Sequence, residues 1–220
     1  MLYARFRHLA IERPRPPASD DELRAVEEAL GASLPGSFRE FLRAAGGGAL
    51  EYVIDVPTPR GGTEARTFGS IFSAHASDPE NLLRELVSAR ELIKAPPGVL
   101  PFARDGGGSV VYLDLSPEGR GRVVAFLAGR PAWTGRERAS GFVELATSFD
   151  AYVEKLRIDR EYVIESLEQD VSAPSHVDAT EEWLDIGMPG WRERDAELAA
   201  AVVAARARVG SGSADRSSRQ

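Results

Sequence analysis

A chain of 220 residues with an apolar share of 43% can hold one domain plus an extension, or two small domains, around a real core. It contains no cysteine, which excludes disulfides and zinc–thiolate sites and fits a reducing cytosol. The formal charge of −7 disfavours general nucleic-acid binding, and every apolar run falls far short of the roughly 20 residues that span a bilayer.

The first residues, MLYARFRHLAIERPRPP, lack a hydrophobic stretch of signal-peptide length and a small-residue cleavage site, so the cytoplasm is the expected location. Residues 1–18 read as a lead-in: a short apolar patch (Leu2, Tyr3, Phe6, Leu9, Ile11), then Pro14, Pro16 and Pro17, which bar a helix. Ser19 and Glu22 form a capping-box pattern opening a first helix, buried through Leu23, Val26 and Leu30 and closed by Gly31. The next stretch, LPGSFREFLRAAGGG from Leu34 to Gly48, predicts a helix with both ends written in. Pro35 opens it, Phe38, Phe41, Leu42 and Ala45 make one apolar stripe, and three glycines stop it. So short a helix is unstable alone and must dock on a sheet.

Two strands are predicted over Glu51–Val56 and Thr63–Phe72, joined by the Pro57–Gly62 turn. Ser77 or Asp78 should cap a third helix with Pro79 at its first position and Leu82, Leu83, Leu86, Leu92 and Ile93 as apolar positions; Pro96-Pro97-Gly98 breaks it. Val99–Ala103 reads as a short strand and Asp105-Gly106-Gly107-Gly108 as a tight turn. Ser109–Leu115 is a strand that pairs with Arg122–Leu127, Phe142–Ala146 is the last strand, and Ser148 caps a helix through Leu156. This order predicts an α+β fold with a mainly antiparallel sheet flanked by helices. Beyond Arg157 a helical extension is expected over 158–209: a helix at Ile158–Asp170, a loop at Ala173–His176, and a long helix from Pro189 to Val209 with Trp191, Leu198 and Val202 on one side. GSGSADRSSRQ (210–220) reads as a disordered tail.

The order of motifs resembles the SUKH superfamily, which contains the Smi/Knr-type cell-wall-assembly regulators and many bacterial toxin-immunity proteins. Leu23-x-x-x-Glu27-x-x-Leu30-Gly31-x-x-Leu34-Pro35, continuing through Phe38 and Phe41-Leu42 to Gly46-Gly47, is similar to that family's helix, Leu-Pro, aromatic and glycine signature. Phe102-x-x-Asp105-Gly106-Gly107-Gly108 followed by Val111-Tyr112-Leu113-Asp114 resembles its glycine turn and following strand. Ser148-Phe149-Asp150-x-Tyr152-Val153-x-x-Leu156 resembles its closing helix. The resemblance covers residues 19–157 and leaves the extension outside; Ser109 departs from it, standing where many members place an acidic residue. It implies a binding protein and not an enzyme.

Chemistry-bearing patterns are few. His8, His75 and His176 lie far apart with no metal-ligand spacing, so no metal and no cofactor is expected. Ser70, Ser73 and His75 lack a nucleophile-elbow context, and Gly106–Gly108 is followed by a strand and no Gly-Lys-Ser/Thr, so neither an acyl-transfer site nor a phosphate loop is expected. Asp105 and Asp114 could form a carboxylate pair; the simpler reading is that Asp105 holds the turn while Asp114 ends a strand facing water. Trp133, among Arg130, Arg136 and Arg138, could stack a base or anchor a protein interface.

Charge is more informative. Residues 144–197 hold 15 Asp or Glu against 5 Lys or Arg, so the acid is concentrated toward the C-terminal part. Solvated helix faces would explain it. The functional reading is an acidic docking surface, with Asp159, Glu161, Glu165, Glu168 and Asp170, plus Trp133, as partner-binding residues. The expected partner is a basic toxin domain, with no nucleic acid and no membrane involved, and the expected function is that of an immunity protein. The alternative is an intracellular scaffold or regulator of the Smi/Knr type.

Overall fold

The computed structural model describes residues 3–58, 61–129 and 139–217, with backbone alone for 211–217. The chain opens with two short strands, β1 (Tyr3–Phe6) and β2 (Leu9–Glu12), where the sequence predicts only a lead-in. Each has four residues, and the intervening turn uses Arg7 at φ 56° in place of the glycine or asparagine that would have marked it. The first helix, α1 (Asp20–Leu30), starts on the predicted capping box: Ser19 accepts from the Glu22 N–H, and the Glu22 carboxylate accepts from the Ser19 N–H at 2.9 Å.

The helix predicted from Leu34 is α2 (Gly36–Ala45), with Pro35 at its N-cap and Phe38, Phe41, Leu42 and Ala45 buried. Gly46 closes it at φ 62°, and its N–H bonds to the Leu42 carbonyl at 2.8 Å. A Cβ at Gly46 would lie 1.9 Å from the Pro16 carbonyl oxygen, so only glycine lets the proline-rich segment run this close.

Strands β3 (Gly48–Ala49), β4 (Val53–Pro57), β5 (Thr63–Thr67) and β6 (Ser70–Ile71) follow. The single strand expected over Thr63–Phe72 is therefore two, divided at Phe68–Gly69, and they join different sheets. Helix α3 (Leu82–Leu92) begins later than the sequence predicts. Its cap is Asn81, which accepts from the Arg84 N–H at 2.9 Å, while Asp78 accepts from the Glu80 N–H in the turn before it. Then come β7 (Val99–Arg104), β8 (Val110–Asp114), β9 (Arg122–Leu127), β10 (Gly141–Ala146) and α4 (Phe149–Lys155), capped by Ser148 as expected.

The fold is α+β. Eight strands form one sheet in the order β1-β2-β3-β6-β7-β8-β9-β10, antiparallel from β2 onward, while β4 and β5 make a separate two-stranded sheet. Alternation along β8 and β9 buries Val111, Leu113, Val123, Ala125 and Leu127 on one face. On the core, aromatic rings interlock edge to face. Phe38 lies 4.9 Å from Phe149 and 5.6 Å from Phe102, Phe41 lies 5.4 Å from Phe6, and Tyr152 lies 5.5 Å from Phe102. Two phenylalanines of α2 and two aromatics of α4 thus meet the sheet in one cluster.

Contacts divide the chain into two compact units. Among the described residues the first comprises Tyr3–Phe6 and those of 11–157, and the second comprises those from Ile158 onward together with Arg7–Ala10. The second contains α5 (Arg160–Gln169), α6 (Pro174–Gly187), α7 (Trp191–Arg194) and α8 (Ala196–Ser217). The loop expected at Ala173–His176 is instead the start of α6, with Pro174 at its first position. The long helix expected from Pro189 to Val209 is broken at Asp195, whose carboxylate accepts the Leu198 N–H and caps a new helix. That helix continues past Gly210, where the composition predicts a tail, and its backbone is helical to Ser217.

Candidate protein-interaction site

The acidic helices of the second unit are held together by arginine hubs. Arg160 binds Asp195 at 2.5 Å, Glu161 at 2.6 Å, and Glu197. Arg192 binds Asp185 and Glu181, and stacks 4.4 Å above the Trp191 ring, whose indole N–H donates to Asp185 at 2.8 Å. Arg206 reaches Asp178 and Glu181 at 2.7 and 3.2 Å. Asp195 holds Arg160 above the ordinary guanidinium value, with Glu197 adding to it, and Arg160 in turn holds the Asp195 carboxyl below the carboxylate range. Burial alone would raise Asp185, but donation from Arg192 and Trp191 outweighs it and leaves the carboxyl lowered.

After these pairings, the predicted partner-binding residues divide by role. Asp159 is the N-cap of α5, accepting from the Tyr162 N–H, and Glu161 is tied to Arg160. Glu165, Glu168 and Asp170 are exposed and form no ion pair among the described residues; Glu165 accepts only from Gln169 at 3.5 Å. Val163 and Leu167 face the interior, so Glu161, Glu165 and Glu168, at spacings of four and three, make one outward stripe. Beside it stands Tyr162, 57% exposed, which the sequence reading missed because a lone tyrosine carries no periodic signal. Trp133, with Arg130, Arg136 and Arg138, lies outside the described residues.

The groups weighed for chemistry are placed apart. The Asp105 carboxylate accepts the N–H groups of Gly107 and Ser109, both at 2.8 Å, and so holds the turn. Asp114 does not face water: it is buried, accepts from Ser116 and takes two bonds from Arg122 at 3.0 and 2.9 Å. Burial pushes its pKa up, and the Ser116 and Arg122 donors more than reverse that, leaving it lowered. The two carboxylates sit at opposite ends of β8, about 15 Å apart by strand rise, too far for paired acid–base work. Ser73 Oγ accepts the His75 backbone N–H, while the His75 ring bonds Glu22 and the Pro16 carbonyl. Ser109, the position that departs from the resemblance, is buried and accepts the Ala128 N–H at 3.2 Å, linking the start of β8 to the end of β9. Among the described residues no cluster of three His, Cys, Asp or Glu side chains could hold a metal ion, and no helix is long and apolar enough to cross a membrane.

A second surface lies on the first unit. Register places Tyr112 and Asp114 of β8, Arg122, Val124 and Phe126 of β9, and Phe142 and Glu144 of β10 on one sheet face. Of these, Tyr112, Asp114, Arg122, Val124 and Phe142 border a groove of about 320 Å³ with the residues just after α3. Leu92 and Ile93, predicted as apolar positions of α3, are 80% and 50% exposed. Leu92 is rotated off the side made by Leu82, Leu86 and Ala89, and Ile93 is the C-cap, past the last helical residue.

A search of curated proteins found no match to the chain. Residues 17–155 match the SMI1 / KNR4 family (SUKH-1), which is well over half of the chain and covers all the elements from α1 to α4. The chain belongs to the SMI1 / KNR4 family (SUKH-1).

Proposed function

We propose that this chain is a non-enzymatic, cytoplasmic binding protein that neutralises a basic toxin domain, such as a nuclease, by stoichiometric masking. The observation that carries this reading is the outward stripe of α5, where Glu165 and Glu168 are exposed and form no ion pair among the described residues, while Arg160, Arg192 and Arg206 engage Glu161, Asp178, Glu181, Asp185, Asp195 and Glu197. A nuclease must present cations to hold phosphates, so an acidic stripe fits the groove that its substrate uses. Complementary charge also accelerates association, which an immunity protein needs when toxin enters the cell. Trp133 is proposed, on sequence grounds, as an additional anchor.

The test is a pull-down from native-host lysate, washed at low and at high salt. Masking predicts one basic toxin-like polypeptide, lost as salt rises. Recovery of several envelope-synthesis proteins would overturn masking and favour the scaffold role.

A further inference from the structure

The groove of the first unit offers both halves of a contact. Its apolar wall is built from Ile93, Pro96, Val99, Tyr112 and Val124, and Phe142 stands on its rim, 65% exposed. Phe142 is not loose: its ring lies 5.2 Å from Phe126 and 6.2 Å from Tyr112, so it is held as a projecting knob. An exposed phenylalanine beside an apolar groove, with Leu92 and Ile93 also uncovered, is the kind of patch that marks an interaction surface.

The charges on the same surface decide which partner it suits. Asp114 and Arg122 are closed on each other. Lys94 forms no ion pair among the described residues; its ammonium reaches only the Glu91 carbonyl at 2.9 Å. It occupies the left-handed position after α3 at φ 55°, where glycine is usual, and Ala95 returns its N–H to the Ala89 carbonyl in a Schellman-type closure. Glu144, two residues from Phe142 on the same face of β10, has only a 3.9 Å approach to an Arg122 already committed to Asp114. The surface therefore presents a knob beside a weakly engaged acid and a hole with an unpaired base. A two-fold contact needs such self-complementarity, because residue i must meet j while j meets i. A basic partner would meet an unpaired cation here. Residues 11–157 carry 21 Asp or Glu against 18 Lys or Arg, so the unit that bears the groove is close to neutral, although the full chain at −7 sets a small long-range repulsion between copies.

We propose that this groove is a self-association surface, in which Phe142 of one copy enters the groove of a second and Glu144 pairs with Lys94 across the two-fold axis. The test is sedimentation equilibrium of the full chain from about 1 to 500 μM, a range suited to a small interface. A monomer–dimer equilibrium is expected. Phe142→Ser should weaken it about tenfold or more, and Lys94→Glu or Glu144→Lys alone about fivefold. Combining Lys94→Glu with Glu144→Lys should restore it, a coupling that only a direct pair gives. Thermal melts of each variant separate lost association from lost folding, and the two charge swaps lie on exposed side chains. A monomer throughout the range, a dimer indifferent to all three substitutions, or additive losses in the double swap would overturn the proposal.

Discussion

Tyr152 gives a prediction whose sign runs against habit. Its side chain is 1% exposed, within the aromatic cluster of α4, and its hydroxyl has no hydrogen-bond partner among the described residues. Burial drives the phenol pKa far upward, so the group stays neutral across the physiological range. A buried hydroxyl without a partner costs about 1–3 kcal/mol, whereas the ring itself contributes favourable edge-to-face contacts that phenylalanine keeps. Tyr152→Phe should therefore stabilise the protein by about 1 kcal/mol, raising the melting temperature by about 3 °C. Urea unfolding followed by far-ultraviolet circular dichroism checks it, with the slope m unchanged and the midpoint higher. A loss of about 1 kcal/mol would mean that the hydroxyl is hydrogen-bonded in solution, and would refute the reasoning. A parallel alkaline titration should show Tyr152 ionising only as the chain unfolds.

Two further outcomes follow from the core and its charges. Phe41→Ala removes a ring that is 2% exposed and packs on Phe6, Phe38 and Phe149; it should cost about 3–5 kcal/mol in the same unfolding assay. Asp114 has a lowered folded-state pKa, so its contribution is present above the unfolded value, about 3.9, and is lost as pH falls through the folded value. Asp114→Asn should therefore be less stable than the parent at neutral pH, and the difference should shrink as pH falls below the unfolded value of about 3.9, as read from urea midpoints across the acid range. A difference independent of pH would place the loss in packing and not in charge.

Much of the fold was legible where the ends of elements are chemically marked. Ser19 with Glu22, Gly46 and Ser148 each specify a boundary through a local hydrogen bond, Pro35 marks one through its fixed φ, and the structure places a helix end at each. Strand β9 was readable because buried and outward residues alternate cleanly. Where several polar residues compete, local chemistry does not choose: Ser77, Asp78 and Asn81 can each cap, and Asn81 wins because the Asp78 side chain is taken by the turn. The strands β1 and β2 are too short for periodicity to show, and the break at Asp195 depends on Arg160, 35 residues away.

The proposed acidic surface was legible only as composition. Counting acids finds the C-terminal part, but which carboxylates stay unpaired depends on how Arg160, Arg192 and Arg206 fold back on their own unit. Likewise, Leu92 and Ile93 count as core by spacing, and only the end of α3 turns them outward. Glu168 and Asp170 also sit at the negative end of α5, which has no basic residue in its last turn. There Arg208 donates to the Leu167 and Val171 carbonyls at 2.6 and 3.0 Å and offsets the helix dipole that would otherwise act against these acids.

Calorimetric titration of the captured polypeptide with the parent chain and with Glu165→Lys/Glu168→Lys, each at low and high salt, tests masking directly. Masking predicts an affinity at least about tenfold lower in the variant, a salt dependence that largely disappears with it, and an unchanged or slightly higher melting temperature. Equal affinity for parent and variant at both salt concentrations would contradict it.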